Sequence, residues 1–159
     1  TRSVIDSNIT SLTDALVFLG GEPTIYGEEL FELSTYVKQS YDLSVKVFSN
    51  ATNPKLLLRG LRDGYFDRVS IDFKAYFPTH LIKTNQNWLT YIDGIMWFLG
   101  QVSALRLTDA VEVRMTVVKG LVKDFDIIKR ICSNMGVRFL RQEDVRSSYQ
   151  ELGLLGLAS

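Results

Sequence analysis

Short apolar runs alternate with amphipathic helical stretches along the whole chain. Ala15-Leu16-Val17-Phe18-Leu19 is apolar and uninterrupted, and Gly20-Gly21 closes it, which predicts a short buried strand. Beyond the glycines, Leu30, Leu33 and Val37 recur at helical spacing with Phe31 alongside, predicting a helix over about 27–40. Leu43–Phe48 is a second strand, followed by the loop Ser49-Asn50-Ala51-Thr52-Asn53. Pro54 suits the first position of the next helix and Asn53 its cap; that helix carries Leu56, Leu57 and Leu61 and ends near Asp63-Gly64. Arg68–Phe73 is the third strand. After a longer loop, a strongly apolar helix spans about Trp88 to Gln101, and Val111–Val118 is the fourth and longest strand. Asp124 opens a helix that ends at Met135 before Gly136, and Val137–Leu140 is a fifth strand. Residues 1–14 are the end of a helix plus a connector, and the pattern assigns no element to 141–159.

Neighbouring strands begin about 25 to 43 residues apart, the length of a βαβ unit. Such crossovers make a parallel sheet. The expected fold is α/β, a parallel sheet of about five β/α units in a single domain over 1–159, either an open sheet or part of a barrel.

Composition narrows the function classes. Lys+Arg and Asp+Glu are 18 each, a formal net charge of zero, which argues against a nucleic-acid-coating surface. No apolar run approaches the roughly 20 residues of a membrane span, and Thr1-Arg2-Ser3-Val4-Ile5-Asp6 offers no apolar h-region, so no signal peptide is expected. The single Cys132 forms no internal disulfide and cannot by itself build a thiolate metal site. The expected compartment is the cytoplasm. The first residue is not Met, so a fragment or a processed product is expected.

Ligands of parallel α/β sheets bind at the carboxyl ends of the strands. There the chain places Gly20-Gly21-Glu22-Pro23, then Ser49-Asn50, then Asp72 and Lys74. Side chains alternate along a strand, so Ser70, Asp72 and Lys74 share one face. In the fourth strand Glu112, Arg114 and Thr116 oppose Val111, Val113, Met115 and Val117. One face of the sheet is therefore apolar and the other carries a polar column suited to a polar ligand. His80 has no partner at ligand or triad spacing and reads as a surface residue. Cys132 reads as a small core hydrophobe, Trp88, Trp97 and Phe98 as core, and Arg138, Arg141, Glu143, Asp144 and Arg146 as solvated ion pairs.

In this order, Gly20-Gly21-Glu22-Pro23, Ser49-Asn50, Ile71-Asp72-Phe73-Lys74 and Val111–Val118 resemble the radical S-adenosylmethionine enzymes. The chain is most similar to activases that install glycyl radicals in pyruvate formate-lyase and anaerobic ribonucleotide reductase. The likeness spans about Ala15 to Met135. It implies a partial (β/α)6 TIM-like barrel. It assigns Gly20, Gly21, Glu22 and Pro23 to the methionyl amino group of S-adenosylmethionine, with Ser49 and Asn50 at the next strand end. Asp72 and Lys74 line the same pocket, and Arg114 and Thr116 lie near the carboxylate and the ribose or adenine. The full-length oxidoreductase would reductively cleave S-adenosylmethionine with a [4Fe–4S] cluster. Its protein partners would be a glycyl radical enzyme and a reductant such as flavodoxin or ferredoxin, with no nucleic acid or membrane. Catalytic residues are unassigned, and no metal ligand is expected in this chain.

Two departures qualify the resemblance. The family's Cys-x-x-x-Cys-x-x-Cys loop is absent, so the chain is expected to lack the first β/α unit and to be inactive alone. The residue before the Asn turn is Phe48 where pyruvate formate-lyase activases carry Asp, and Ala51 replaces a Gly. A missing first unit would leave the Ala15–Leu19 strand as a bare edge, expected to pair with another chain or to be partly disordered. Two alternatives stay open: a radical S-adenosylmethionine enzyme acting on a small molecule, and a cluster-less domain that only binds.

Overall fold

The computed structural model describes residues 2–77, 87–117 and 121–143. Within them, helices and strands alternate as α1 Arg2–Asn8, β1 Ala15–Phe18, α2 Glu28–Tyr41, β2 Ser44–Ser49, α3 Pro54–Arg62, β3 Arg68–Asp72, α4 Trp88–Ala104, β4 Val111–Val117, α5 Val122–Met135 and β5 Arg138–Glu143. Short 3₁₀ turns lie at Pro23–Tyr26 and Thr108–Ala110. The sheet has five strands in the order β1-β2-β3-β4-β5, and every neighbouring pair is parallel. The fold is thus α/β around a five-stranded parallel sheet, as the alternation predicts.

Local chemistry sets the boundaries. The Asn53 side chain accepts the Leu56 N–H and Pro54 opens α3, the cap expected from the sequence. Gly136 ends α5 in the left-handed region at φ 69°. β1 stops at Phe18, one residue early, because Gly20 and Gly21 turn the chain at φ 88° and 55°. Leu19 leaves the ladder and is 69% exposed. Helix α5 starts at Val122 rather than Asp124. Asp124 is a buried member of its first turn, and its Oδ1 accepts the Tyr76 and Phe77 N–H groups. β5 begins one residue late and runs on to Glu143, because β4 offers partners as far as Val117. Its charged end joins the ladder despite its polarity. His80, most of the loop after β3, and the tail from 144 lie outside the described residues.

Register confirms the two-faced sheet. Val45, Val47, Val69, Ile71, Val111, Val113 and Met115 are buried on one face. There they meet Leu30, Phe31 and Val37 of α2, Leu57 and Leu61 of α3, Ile95, Phe98 and Leu99 of α4, and Ile128 and Cys132 of α5. Cys132 is a core hydrophobe as expected, and burial pushes its thiol up to about 12. Trp97 is 39% exposed, so this tryptophan is not core; Phe98 is fully buried. The opposite face carries Lys46, Phe48, Asp72, Glu112, Arg114 and Thr116, all partly exposed, and the buried Ser70. β1 is the sheet edge and pairs only with β2 among the described residues. No helix of the described residues is long and apolar enough to cross a membrane.

Candidate functional site

A cavity of about 410 Å³ opens at the carboxyl ends of the strands. Leu19, Gly20 and Gly21 line it from the loop after β1, and Phe48, Ser49 and Asn50 from the end of β2. β3 contributes Asp72 and, just beyond it, Lys74; β4 contributes Arg114 and Thr116, and β5 contributes Gln142. Eight of the ten sequence-selected site residues meet here: Gly20, Gly21, Ser49, Asn50, Asp72, Lys74, Arg114 and Thr116. Parallel strands in sequential order explain the convergence, because every strand delivers its carboxyl end to the same rim.

The other two stand differently. Pro23 is buried and lines a neighbouring groove with Phe18, Leu30 and Leu33. The Glu22 carboxylate lies behind the rim and ties two loops together. Its Oε1 accepts the Thr24 N–H at 3.1 Å, the Thr24 hydroxyl at 2.6 Å and the Ser49 hydroxyl at 2.7 Å. Its Oε2 accepts the Asn50 N–H at 2.7 Å. Ser49, itself buried, accepts the Ala51 N–H at 2.9 Å. The Asn50 side chain accepts the Thr52 N–H at 2.9 Å, an Asx turn that shapes the same loop. Ala51 sits at φ 60°, where glycine is the usual occupant, at a cost of roughly 1–2 kcal/mol.

The strand end of β3 is anchored from the helix side. The buried Tyr91 of α4 accepts the Lys74 N–H at 2.8 Å, and its hydroxyl reaches the Asp72 carbonyl at 3.4 Å. Burial raises the Tyr91 phenol above its ordinary value, so it stays protonated. Asp72 and Lys74 project half-exposed side chains 4.0 Å apart. Burial pushes the Asp72 carboxyl above its usual range, against the opposing pull of Lys74 and Arg114. The Arg114 guanidinium lies 4.6 Å from the centre of the Phe48 ring.

Below the cavity, nearer the amino ends of the strands, the polar face is closed. Glu112 accepts from Lys46 Nζ at 2.8 Å and from the buried Ser70 hydroxyl. Burial alone would raise the Glu112 carboxyl, but the Lys46 and Ser70 hydrogen bonds outweigh it and hold the group below its ordinary value.

Sequence reasoning missed Tyr91, Leu19 and Gln142, and it took Phe48 only as a departure. The signal for Phe48 was available: an aromatic at a position whose alternation partners are Lys46 and, across the sheet, Ser70 and Glu112. No group of three or more His, Cys, Asp or Glu that could hold a metal ion occurs among the described residues. The cavity offers donors for an anion (Lys74, Arg114), one carboxylate (Asp72) and small polar groups (Thr116, Asn50, Gln142). That set suits a zwitterionic ligand of modest size.

No protein-family model matches the chain. A protein of Methanocaldococcus jannaschii, provisionally named a glycyl-radical enzyme activating enzyme, is 25% identical over 142 residues, which is 87% of this chain and 58% of that protein. The chain thus spans less than two thirds of that relative. Among solved structures, the apoenzyme of S-formylglutathione hydrolase FrmB from Staphylococcus aureus aligns at a TM-score of 0.39 and 15% identity. The alignment covers 76% of this chain and 54% of that one, a likeness too low to bear on fold or function. At 25% identity the Methanocaldococcus protein is a distant relative, and the likeness alone shows no family for this chain.

Proposed function

We propose that this chain is the S-adenosylmethionine-binding part of a radical S-adenosylmethionine oxidoreductase, an activating enzyme whose substrate is a glycyl radical enzyme. The observation that carries the reading is the convergence of Gly20, Gly21, Asn50, Asp72, Lys74, Arg114 and Thr116 on one cavity at the strand ends. The name of the Methanocaldococcus relative supports it. The sequential strand order supports a partial (β/α)6 barrel, since a sheet that never reverses its winding is the arrangement such a barrel needs.

In this reading Lys74 and Arg114 hold the ligand carboxylate, and Asp72 with the Gly20-Gly21 backbone takes the ammonium. Thr116, Asn50 and Gln142 take the remaining polar groups. Glu22 keeps the first two rim loops in place, and Tyr91 fixes the backbone between Asp72 and Lys74. Bound S-adenosylmethionine would supply the group that a cluster's electron cleaves. Residues for a [4Fe–4S] cluster are not found here: Cys132 is the only cysteine, and it is buried on the helix-covered face, away from the cavity. Cluster ligands would have to be cysteines other than Cys132. The reductant would be a small electron carrier of the flavodoxin or ferredoxin class.

Titration calorimetry with S-adenosylmethionine tests the site. Asp72→Ala and Arg114→Ala are each expected to weaken binding about tenfold, as lost charge-assisted hydrogen bonds do. Unchanged affinity in both variants would sink the assignment.

A further inference from the structure

Arg114 is held in an unusual way for a cavity-facing cation. Among the described residues it makes no hydrogen bond and no ion pair within 4 Å. Its guanidinium carbon lies 4.6 Å from the centre of the Phe48 ring. The nearest acid in its own strand, Glu112, is already engaged by Lys46 and Ser70. Asp72, its register partner on β3, is within electrostatic reach but forms no ion pair with it. Lys46 Nζ also lies over the Phe48 ring, at 4.8 Å, with its charge answered by Glu112.

This arrangement has a chemical advantage for binding an anion. A carboxylate partner would orient Arg114 but would occupy its N–H edge and neutralise its charge, so an incoming anion would have to displace it. An aromatic face orients the guanidinium through its flat side and leaves the N–H edge open. We propose that Phe48 is a positioning residue: its ring carries the Arg114 guanidinium so that the full donor edge faces an anionic group in the cavity. The inference rests on the reading of the cavity as an S-adenosylmethionine site, whose carboxylate is that anion. It also gives the residue at position 48 a role in this chain that an aspartate there could not perform.

The test combines a double-mutant cycle with a probe independent of the ligand. By calorimetry, Phe48→Leu is expected to weaken S-adenosylmethionine about threefold to tenfold, and Phe48→Tyr, which keeps the ring, to stay within about twofold. In an Arg114→Ala background, Phe48→Leu is expected to add no further loss, because Phe48 acts through Arg114. Equal losses from Phe48→Leu with and without Arg114 overturn the proposal, as does no loss beside a weakened Arg114→Ala.

NMR supplies the second arm. The Arg114 Nε–H resonance, identified by its absence in Arg114→Ala, is expected to be shifted by the ring current and to return to an ordinary position in Phe48→Leu. Inorganic sulfate should move it in the wild type. An unshifted resonance, or one that ignores Phe48→Leu, overturns the positioning role. Wild-type protein that fails to bind S-adenosylmethionine overturns the proposed function instead, and the NMR arm still decides Phe48.

Discussion

The two halves of the polar sheet face are built from the same strands, one register step apart, and behave in opposite ways. Toward the amino ends, Lys46, Ser70 and Glu112 satisfy one another, and the face is closed. Toward the carboxyl ends, Asp72, Lys74 and Arg114 stand around an open cavity with one ion pair at the 4.0 Å limit between them. Both halves contain acid and base: Glu112, in register beside Ser70, is bonded to Lys46, and Asp72 stands in register beside Arg114. The difference lies in engagement. Charges that answer each other hold the strands; charges left open are available to a ligand. Phe48 sits at the boundary, with Lys46 from the closed half and Arg114 from the open half over its ring.

The contrast can be broken at several points. The largest effect is expected at Glu22, whose loss removes the acceptor of four donors, including the buried Ser49 hydroxyl. Glu22→Ala should cost about 3 kcal/mol in urea denaturation and loosen the cavity rim. Glu112→Ala comes next, at about 2 kcal/mol, because it leaves Lys46 and the buried Ser70 without their acceptor. Arg114→Ala in the open half should stay within about 0.5 kcal/mol of wild type while weakening ligand. Equal destabilisation by Glu112→Ala and Arg114→Ala would erase the distinction between the halves.

Acid separates the halves by sign. The Glu112 carboxyl is held below its ordinary value, so its contribution is present above the unfolded carboxylate range and is lost as pH falls through its folded value. Asp72 is raised, so its ionisation lowers stability as pH rises from the unfolded to the folded value. Asp72→Asn should therefore be at least as stable as wild type at pH 7, and the difference should vanish near pH 3. Urea midpoints at the two pH values measure both. The smallest effect is expected at the sheet edge: Val17→Lys, on an exposed position of β1, should leave stability within about 0.5 kcal/mol. It should reduce any self-association seen by sedimentation.

Much of this was legible in the sequence because it follows from periods. The two-residue alternation of Val111, Val113 and Met115 against Glu112, Arg114 and Thr116 gave both faces, and the burial of the structure matches it. Asn53 with Pro54, and Gly136, marked helix ends through local backbone chemistry alone. Strand ends converge on one rim in a parallel sheet, so Asn50, Asp72 and Arg114 could be grouped without coordinates. Tyr91 could not, since its reach to Lys74 depends on how α4 crosses the sheet. The engagement of Glu22 was hidden too: a carboxylate after Gly-Gly looks exposed until the turn folds it back toward β2. The limits of β5 were misjudged because Arg141 and Gln142 look like loop residues and are strand only through their pairing with β4.

The Glu22 tie also bears on how the first βαβ unit finds its alignment. β1 and β2 pair from Ala15 with Ser44 to Phe18 with Val47, and Glu22 then meets Ser49 and Asn50 just past that ladder. A slip of one residue would move the strands by about 3.3 Å, more than a 2.7 Å hydrogen bond can absorb. A misaligned β1 would thus carry the carboxylate out of reach and leave the buried Ser49 hydroxyl without its acceptor. The two hydrogen bonds that reach across to β2, from Ser49 and Asn50, shape the cavity rim and also act as proofreading for strand pairing, so a molecule with the wrong register also lacks the rim.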